Sequence, residues 1–505
     1  MNMKFGRLLG VVLTSAAVFF VILQSLQSAD TDGGWQDLFD GRTLSGWRAS
    51  ENAGTFKVID GMIAASGPRS HLFYVGDGRP QVFKNFEFQA DVKTAPGANS
   101  GIYFHTEFQG EGFPQKGMEI QINNSATEHN NYLELKKTGS LYGIRNVYKA
   151  LAPDNEWFRL WFRVEGRRVQ VRVNDILVVD YLEPVPPVVP KGRPGRRLSE
   201  GTFALQGHDP ESKVWFKNLR VKRLPDATAA QEQVVVDDYY RQLIELGAAN
   251  FPLVNFHVHL KGGLTLPEAL AMSRQSGINY GIAINCGLNF SVTNDAGIDA
   301  YLKTMAGQPV FVGMQAEGRE WVNLFSPEAV ARFDYVFTDA MTIVDNTGRR
   351  MRLWIKDEVG EIKDKQLFME TLVQRTVDIL ENEPVDIFVN PTYLPDVLAA
   401  EYDALWTQER MQRVVDAAAK NGIAIEINGR LRLPKAAFLK MAKKAGCKFT
   451  FGTNNTDRDV GRLDYCLQMV KECGLNWRDM WMPKPDGQKP VQLRKGLRPA
   501  NRSGN

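Results

Sequence analysis

The sequence predicts two folded units in tandem: an all-β sandwich or jelly roll, then an α/β barrel or doubly wound sheet. Three observations predict it. Residues 34 to 224 are short runs of alternating apolar and polar residues with no long helical pattern, as antiparallel strands require. From 253 onward, unbroken apolar runs alternate with helical repeats, the mark of buried parallel strands joined by helices. A polar stretch at 225 to 235 separates the two regimes.

The N-terminal 30 residues stand apart. Lys4 and Arg7 precede an uncharged run from Leu8 to Leu23, followed by a polar stretch to Asp30. That order is a secretory signal or a retained N-terminal anchor; the run, about 16 residues, falls short of the roughly 20 of a spanning helix. The protein is therefore expected to be exported, periplasmic or secreted, with membrane anchoring through this segment as the variant. The net charge of +3 in 505 residues gives no case for a nucleic-acid partner. Cys286, Cys447, Cys466 and Cys473 all fall in the second half and are expected as buried thiols, since a large domain needs no staples.

In the first unit, alternation is clearest over Asn85–Lys93, Gly101–Phe108, Gly117–Asn123 and Val214–Leu224. From Trp157 to Tyr181, Glu165-Gly166 and Asn174-Asp175 are two-residue turns between three strands. The proline- and arginine-rich stretch 183 to 200 reads as a mobile, solvated loop. In the second unit, candidate strands cover Leu253–Leu260, Tyr280–Asn285, Val310–Met314, Tyr335–Phe337, Val385–Val389, Ile423–Ile427 and Phe449–Phe451. The domain plan is thus 1–30 signal or anchor, 34–225 β-domain, 226–250 linker and leading helix, 251–482 barrel, and 483–505 a disordered basic tail.

Period-two spacing places Glu119, Gln121 and Asn123 on one face of a strand and Met118, Ile120 and Ile122 on the other. His105 follows Asn99-Ser100-Gly101 on one predicted strand, and His208 ends another, before Asp209. The bland reading of such a strand is a solvated outer face; the sharper one is a polar site. Motifs weigh toward the second. Trp35 to Gly41 (WQDLFDG), Leu44 to Trp47, Asn99 to Ile102, Gly117 to Ile122, Thr138 to Gly143 (TGSLYG), Glu156-Trp157, Gly201 to His208 (GTFALQGH) and Phe216 to Asn218 occur in order. The region they span resembles the 3-keto-disaccharide hydrolase family, a concanavalin-like jelly roll. The resemblance implies a hydrolase or lyase acting on 3-keto-glycosides. A ketone at C3 acidifies the C2 proton, so a base can remove it and expel the C1 substituent. Such chemistry needs a base, an electrophile facing the C3 oxygen and polar residues for the sugar. Glu119, His208, His105 and Gln121 are the candidate catalytic residues; Asn123, Tyr142, Lys137 and Asn99 are candidate substrate contacts. A non-catalytic glycan-binding scaffold is the alternative, since the same fold binds without cleaving.

In the second unit, Phe256 to His259, Gly313 to Glu317, Glu426 to Asn428 and Gly452 to Asn455 end candidate strands. This region resembles the PHP family, the polymerase-and-histidinol-phosphatase (β/α)7 barrel, whose members hold up to three metal ions. Here the barrel has two histidines, His257 and His259, and amides stand at expected ligand positions: Asn285, Asn390, Asn454 and Asn455. A three-ion cluster is therefore not expected. One divalent metal ion on His257, His259 and Glu317, with Asp339 as a fourth ligand, stays open beside hydrogen-bonded remnants in a polar pocket. Arg319, Lys356, Asn390, Asn428, Arg430, Asn454 and Asp457 are expected around its mouth. A second functional alternative follows: a metal-dependent phosphoesterase with the jelly roll as its glycan-binding module.

Overall fold

A computed structural model of the chain describes residues 34–76, 81–125, 128, 131–226, 232–344, 348–494 and 496. The expected export segment lies outside the described residues. Among the described residues, no helix is long and apolar enough to cross a membrane.

The first unit is a jelly-roll sandwich. One sheet takes the order Ile176–Leu182, Arg168–Val173, Phe158–Glu165, Phe86–Thr94, Val214–Arg223, Met62–Ala65, Phe56–Ile59, with Trp35–Asp37 added on Val214–Arg223. The second, of five strands, runs Trp47–Ala49, Ser70–Tyr74, Thr202–Gly207, Ser100–Thr106, Met118–Ile122. All pairings are antiparallel, and the Glu165-Gly166 and Asn174-Asp175 turns connect neighbouring strands as the sequence predicts. Each strand turns its alternate apolar residues between the sheets. Phe86, Phe88, Phe104, Phe162 and Phe203 are fully buried there, and Phe88 stacks on Phe162 at 4.8 Å between centroids. Such rings carry most of a core's buried apolar area. Met118, Ile120 and Ile122 join this core.

The second unit is a closed barrel of parallel strands: Val254–Val258, Asn279–Cys286, Phe311–Ala316, Tyr335–Thr338, Ile387–Phe388, Ala424–Asn428 and Phe449–Gly452. Asn255 paired with Phe451 closes it. Helices such as Lys365–Asn382 and Gln408–Lys420 lie between strands, and the apolar runs are buried because these helices cover them. The four cysteines are free and buried. A small hairpin, Thr342–Val344 with Arg350–Arg352, has no counterpart in the sequence reading.

Two expectations need correction. The tail is not disordered from 483: Pro490–Leu493 is a short helix, and the buried Lys489 ammonium donates to the carbonyls of Ala331 and Phe333 at 2.6 and 2.9 Å. Nor is 183 to 200 solvated throughout: residues 191 to 194 are exposed, but the segment is anchored at several points. The Leu198 amide donates to Glu183 at 2.8 Å, the Gly117 amide to the Gly195 carbonyl at 3.0 Å, and Arg196 is buried. Both segments gain order from partners distant in sequence, which local composition does not reveal.

Candidate functional site

The five-stranded sheet carries a cleft of about 440 Å³ on the face turned away from the core, within the range of small-molecule sites. Glu119, Gln121, Asn99, Tyr142 and His208 all line it. Tyr103 faces Glu119 across the strand pair Ser100–Thr106 and Met118–Ile122, which puts the two side chains on one face. Gly101 makes the approach workable: a Cβ there would lie 2.4 Å from Oε1 of Glu119. Segment 138–142 runs along the outer edge of Met118–Ile122, and the Tyr142 amide donates to the Glu119 carbonyl at 2.9 Å.

Three acidic or basic groups define the chemistry. The Gln206 amide donates to Oε1 of Glu119 at 3.1 Å, and the Arg196 guanidinium lies 3.4 Å from Oε2. Glu134 accepts from Tyr132 and Tyr142 hydroxyls on Oε2 at 2.9 and 3.0 Å, and from the Lys136 ammonium on Oε1 at 3.0 Å. His208 ends the Thr202–Gly207 strand, and its Nδ1 is 2.6 Å from Oδ2 of Asp209. Burial raises the Asp209 carboxyl, but hydrogen bonds from His208 and Ser212 outweigh it and hold the group well below the usual carboxylate range. A carboxylate so anchored holds the ring through Nδ1 and fixes the orientation of Nε2, the other ring nitrogen. His208 is one-third exposed at the cleft wall, with Phe113 5.8 Å away between ring centroids.

Three sequence candidates fall elsewhere. His105 does not line the cleft. Its φ of 55° breaks the alternation that would have placed it beside Tyr103. The ring turns toward Phe86 and Phe104, Nε2 donates to the Lys84 carbonyl at 2.9 Å, and Nδ1 accepts from the Ser199 amide at 3.1 Å. Burial pulls its pKa down to about 4; neutral and fully bonded, it has no lone pair for catalysis. Asn123 is buried, donating to the carbonyls of Glu134 and Lys136 at 2.9 and 2.8 Å, so it shapes the loop rather than touching a ligand. Lys137 is not at the cleft either; its neighbour Lys136 is the one paired with Glu134. Sequence reasoning missed Glu134, Tyr132, Arg196, Arg193, Tyr103 and Gln206. Only the last two carried a signal, by sharing strand faces with Gly101 and His208.

At the barrel's strand ends, Nδ1 of His257 lies 2.6 Å from Oε1 of Glu426, and His259 Nδ1 donates to the Ala283 carbonyl at 3.0 Å. The Nε2 atoms of both are buried without a hydrogen-bond partner among the described residues. Glu317 accepts from the Asn285 amide at 2.6 Å; burial and the nearby Asp339 carboxyl push its pKa up to about 7. Asn390 spans the site, donating to Asp339 at 3.3 Å and accepting from Asn428 at 3.0 Å and Asn454 at 3.4 Å. Arg319 is bound to Glu383 and Thr338, and Arg430 pairs with Asp457. Among the described residues, no group of three or more His, Cys, Asp or Glu side chains could hold a metal ion. Two imidazoles and the carboxylates of Glu317, Asp339 and Glu426, set among amides that are already hydrogen-bonded, fall short of the donor set for the multi-ion centre that the PHP resemblance implies.

Residues 34–222 match the family model described as the 3-keto-alpha-glucoside-1,2-lyase-like domain. The first unit is similar to that family over nearly its whole length. A curated relative, a 3-keto-disaccharide hydrolase of Bacteroides thetaiotaomicron, is 27% identical over 40% of this chain and 82% of its own. Among solved structures, the carbohydrate-binding module CBM66 of Bacillus subtilis is similar to this unit at 17% identity and a TM-score of 0.24, covering 35% of this chain and 96% of the module. The barrel half is similar to histidinol phosphate phosphatase of Lactococcus lactis at 16% identity and a TM-score of 0.36, covering 46% of this chain and all of that one.

Proposed function

We propose that the protein hydrolyses 3-keto-glycosides in the jelly-roll cleft. The observation that carries this reading is the convergence of an Asp209-oriented imidazole, two separately anchored carboxylates and a buried guanidinium on one cleft of about 440 Å³. The family match supports the same substrate class.

His208 Nε2 takes the C2 proton that the neighbouring ketone acidifies. The electron pair moves into a C3 enolate, whose oxygen faces the Arg196 cation, worth more in a partly dry site than in water. The enolate collapses, the C1–O bond breaks, and His208 hands its proton to the departing oxygen. Water then adds to C1 of the enone; His208 removes a proton from the water and returns it to C2. The net change is hydrolysis with no redox step. Glu119, Gln121, Asn99 and the Glu134–tyrosine cluster offer acceptors and donors to the sugar hydroxyls. Export through the N-terminal 30 residues belongs to this reading and is checked by cell fractionation with N-terminal sequencing of the mature protein.

The test is nitrophenol release from a p-nitrophenyl 3-keto-glucoside by the full chain. His208→Asn keeps a polar side chain without the base, and turnover should fall by about 10²–10⁴-fold. An inactive wild type, or an active His208→Asn variant, overturns the proposal.

A further inference from the structure

The wall of the cleft that carries Tyr132, Glu134 and Tyr142 belongs to segment 131–149, which has no regular strand or helix. The back of this segment is fastened to the second unit. The Tyr148 hydroxyl donates to the Phe251 carbonyl at 2.8 Å. Asn279 accepts from the Tyr148 amide at 3.2 Å and donates to the Asn146 carbonyl at 2.8 Å. Leu135 and Tyr148 pack into the barrel's hydrophobic core rather than the sandwich's.

Asn250, just before the first barrel strand, stands at the point where this fastening meets the cleft. Its side chain is buried. Its Oδ1 accepts from the Leu135 amide at 3.2 Å and the Lys136 ammonium at 3.1 Å, and its Nδ2 donates to the Leu133 carbonyl at 2.7 Å. It thus binds the backbone on both sides of Glu134. Lys136 in turn reaches Glu134 at 3.0 Å with no exposed side-chain surface and sits 4.4 Å from the Tyr142 ring centroid. A continuous chain of contacts runs from Asn250 through Lys136 to Glu134 and the two tyrosines.

We infer that Asn250 is a positioning residue through which the barrel sets the Glu134 wall of the cleft. This rests on the reading of the cleft as the place of turnover. The chemistry of the position allows few substitutes. The backbone has φ of 63°, which asparagine tolerates better than most side chains. Leu133 requires a donor, while Leu135 and Lys136 require an acceptor, and a carboxamide supplies both. Without it, a buried ammonium loses one acceptor and two backbone groups, the Leu133 carbonyl and the Leu135 amide, lose their partner; in a buried site each such loss outweighs the net worth of the bond. Lys136 then keeps Glu134 as its acceptor, but the backbone on both sides of Glu134 is unfastened from the barrel. On this inference the barrel contributes to the jelly roll's chemistry without any metal of its own.

The test uses the full chain with Asn250→Gly, which keeps the left-handed backbone and removes the carboxamide, and Asn250→Asp, which keeps the acceptor and loses the donor. Lys149→Gln is the control, cutting the same interface at Asp334 away from Glu134. Amide hydrogen exchange over Leu133–Tyr142 should speed up about tenfold or more in both Asn250 variants, with the jelly-roll strands unchanged. Turnover of p-nitrophenyl 3-keto-glucoside should fall about tenfold or more in kcat/KM for Asn250→Gly. In a Glu134→Gln background the same change should cost less than about threefold, because the two act through one path. Lys149→Gln should match wild type in both readouts. Unchanged exchange in either Asn250 variant overturns the inference, as does full additivity with Glu134→Gln. A wild type that turns over no 3-keto-glucoside defeats the substrate reading instead, and the exchange result still decides whether Asn250 sets the loop.

Discussion

The Arg196 guanidinium lies 3.4 Å from Oε2 of Glu119, and both side chains are buried against the cleft. Removing one partner of such a pair leaves a charge out of water with nothing to balance it, at a cost of about 3–5 kcal/mol. Arg196→Met should therefore lower stability by that order and abolish turnover. Glu119→Gln with Arg196→Gln together should recover most of the stability and none of the activity. Urea melts alongside kcat/KM for the three proteins separate the two effects.

Gly101 gives a second handle on the same carboxylate. Alanine there brings its Cβ to 2.4 Å from Oε1 of Glu119, so the carboxylate must shift away from Gln206. Overpacking of this kind costs about 1–3 kcal/mol, and kcat/KM should fall by about tenfold or more as the site is misplaced. Gly452→Ala is the contrast. Its Cβ would strike Oε1 of Glu426 at 1.9 Å and disturb the His257 contact in the barrel. It should destabilise the protein comparably while leaving turnover near wild type; a matching loss of turnover would place the chemistry in the barrel.

Legibility in the sequence followed the regularity of the backbone. Met118–Ile122 was readable because one face meets the core and the other the cleft, so period two alone sorts Glu119 and Gln121 from Met118, Ile120 and Ile122. His208 was readable as a strand-end residue next to Asp209. The same rule failed at His105, where a left-handed φ ends the alternation. Glu134 and Tyr132 sit in a segment whose shape is set by Asn250 and Trp477, more than a hundred residues away, so no local pattern marks them. Arg196 was hidden by a proline- and arginine-rich composition that elsewhere means solvent. In the barrel, seven apolar runs predicted seven strands because buried parallel strands need little else.

Part of the acid sensitivity should come from the jelly roll, beside that of His259 in the barrel, whose pKa burial also lowers. Burial lowers the pKa of His71 and of His105 to about 4, against about 6.5 in an unfolded chain. Protons therefore bind the unfolded state first. The stability these neutral rings represent is present above pH 6.5 and is lost as pH falls toward 4, by at most about 3 kcal/mol for each ring. His71 also lacks a hydrogen-bond partner at either ring nitrogen among the described residues and packs edge-on against Tyr103 and Phe113. His71→Phe should therefore be neutral or stabilising at pH 7 and should flatten the loss between pH 6.5 and 4.5. Denaturant melts across that range check it; a variant with wild-type acid sensitivity refutes the role given to His71.

The barrel's donor set makes a prediction about metal content. His257 spends Nδ1 on Glu426 and His259 spends Nδ1 on Ala283, leaving two imidazole nitrogens. Asn285, Asn390, Asn428 and Asn454 are already engaged in hydrogen bonds, and neutral amides cannot balance several dications. Elemental analysis of the purified full chain should find at most one ion per chain. The consequence for mutation is specific. His257→Ala removes one of the three donors to the buried Glu426, whose Oε2 keeps the Asn390 amide at 2.7 Å and the Asn428 side chain at 3.1 Å. The cost should be about 1–3 kcal/mol of stability, with kcat/KM on a 3-keto-glucoside unchanged. If three ions per chain are found, and His257→Ala removes them together with the activity, the barrel is the catalytic unit and the jelly roll serves it by binding the glycan.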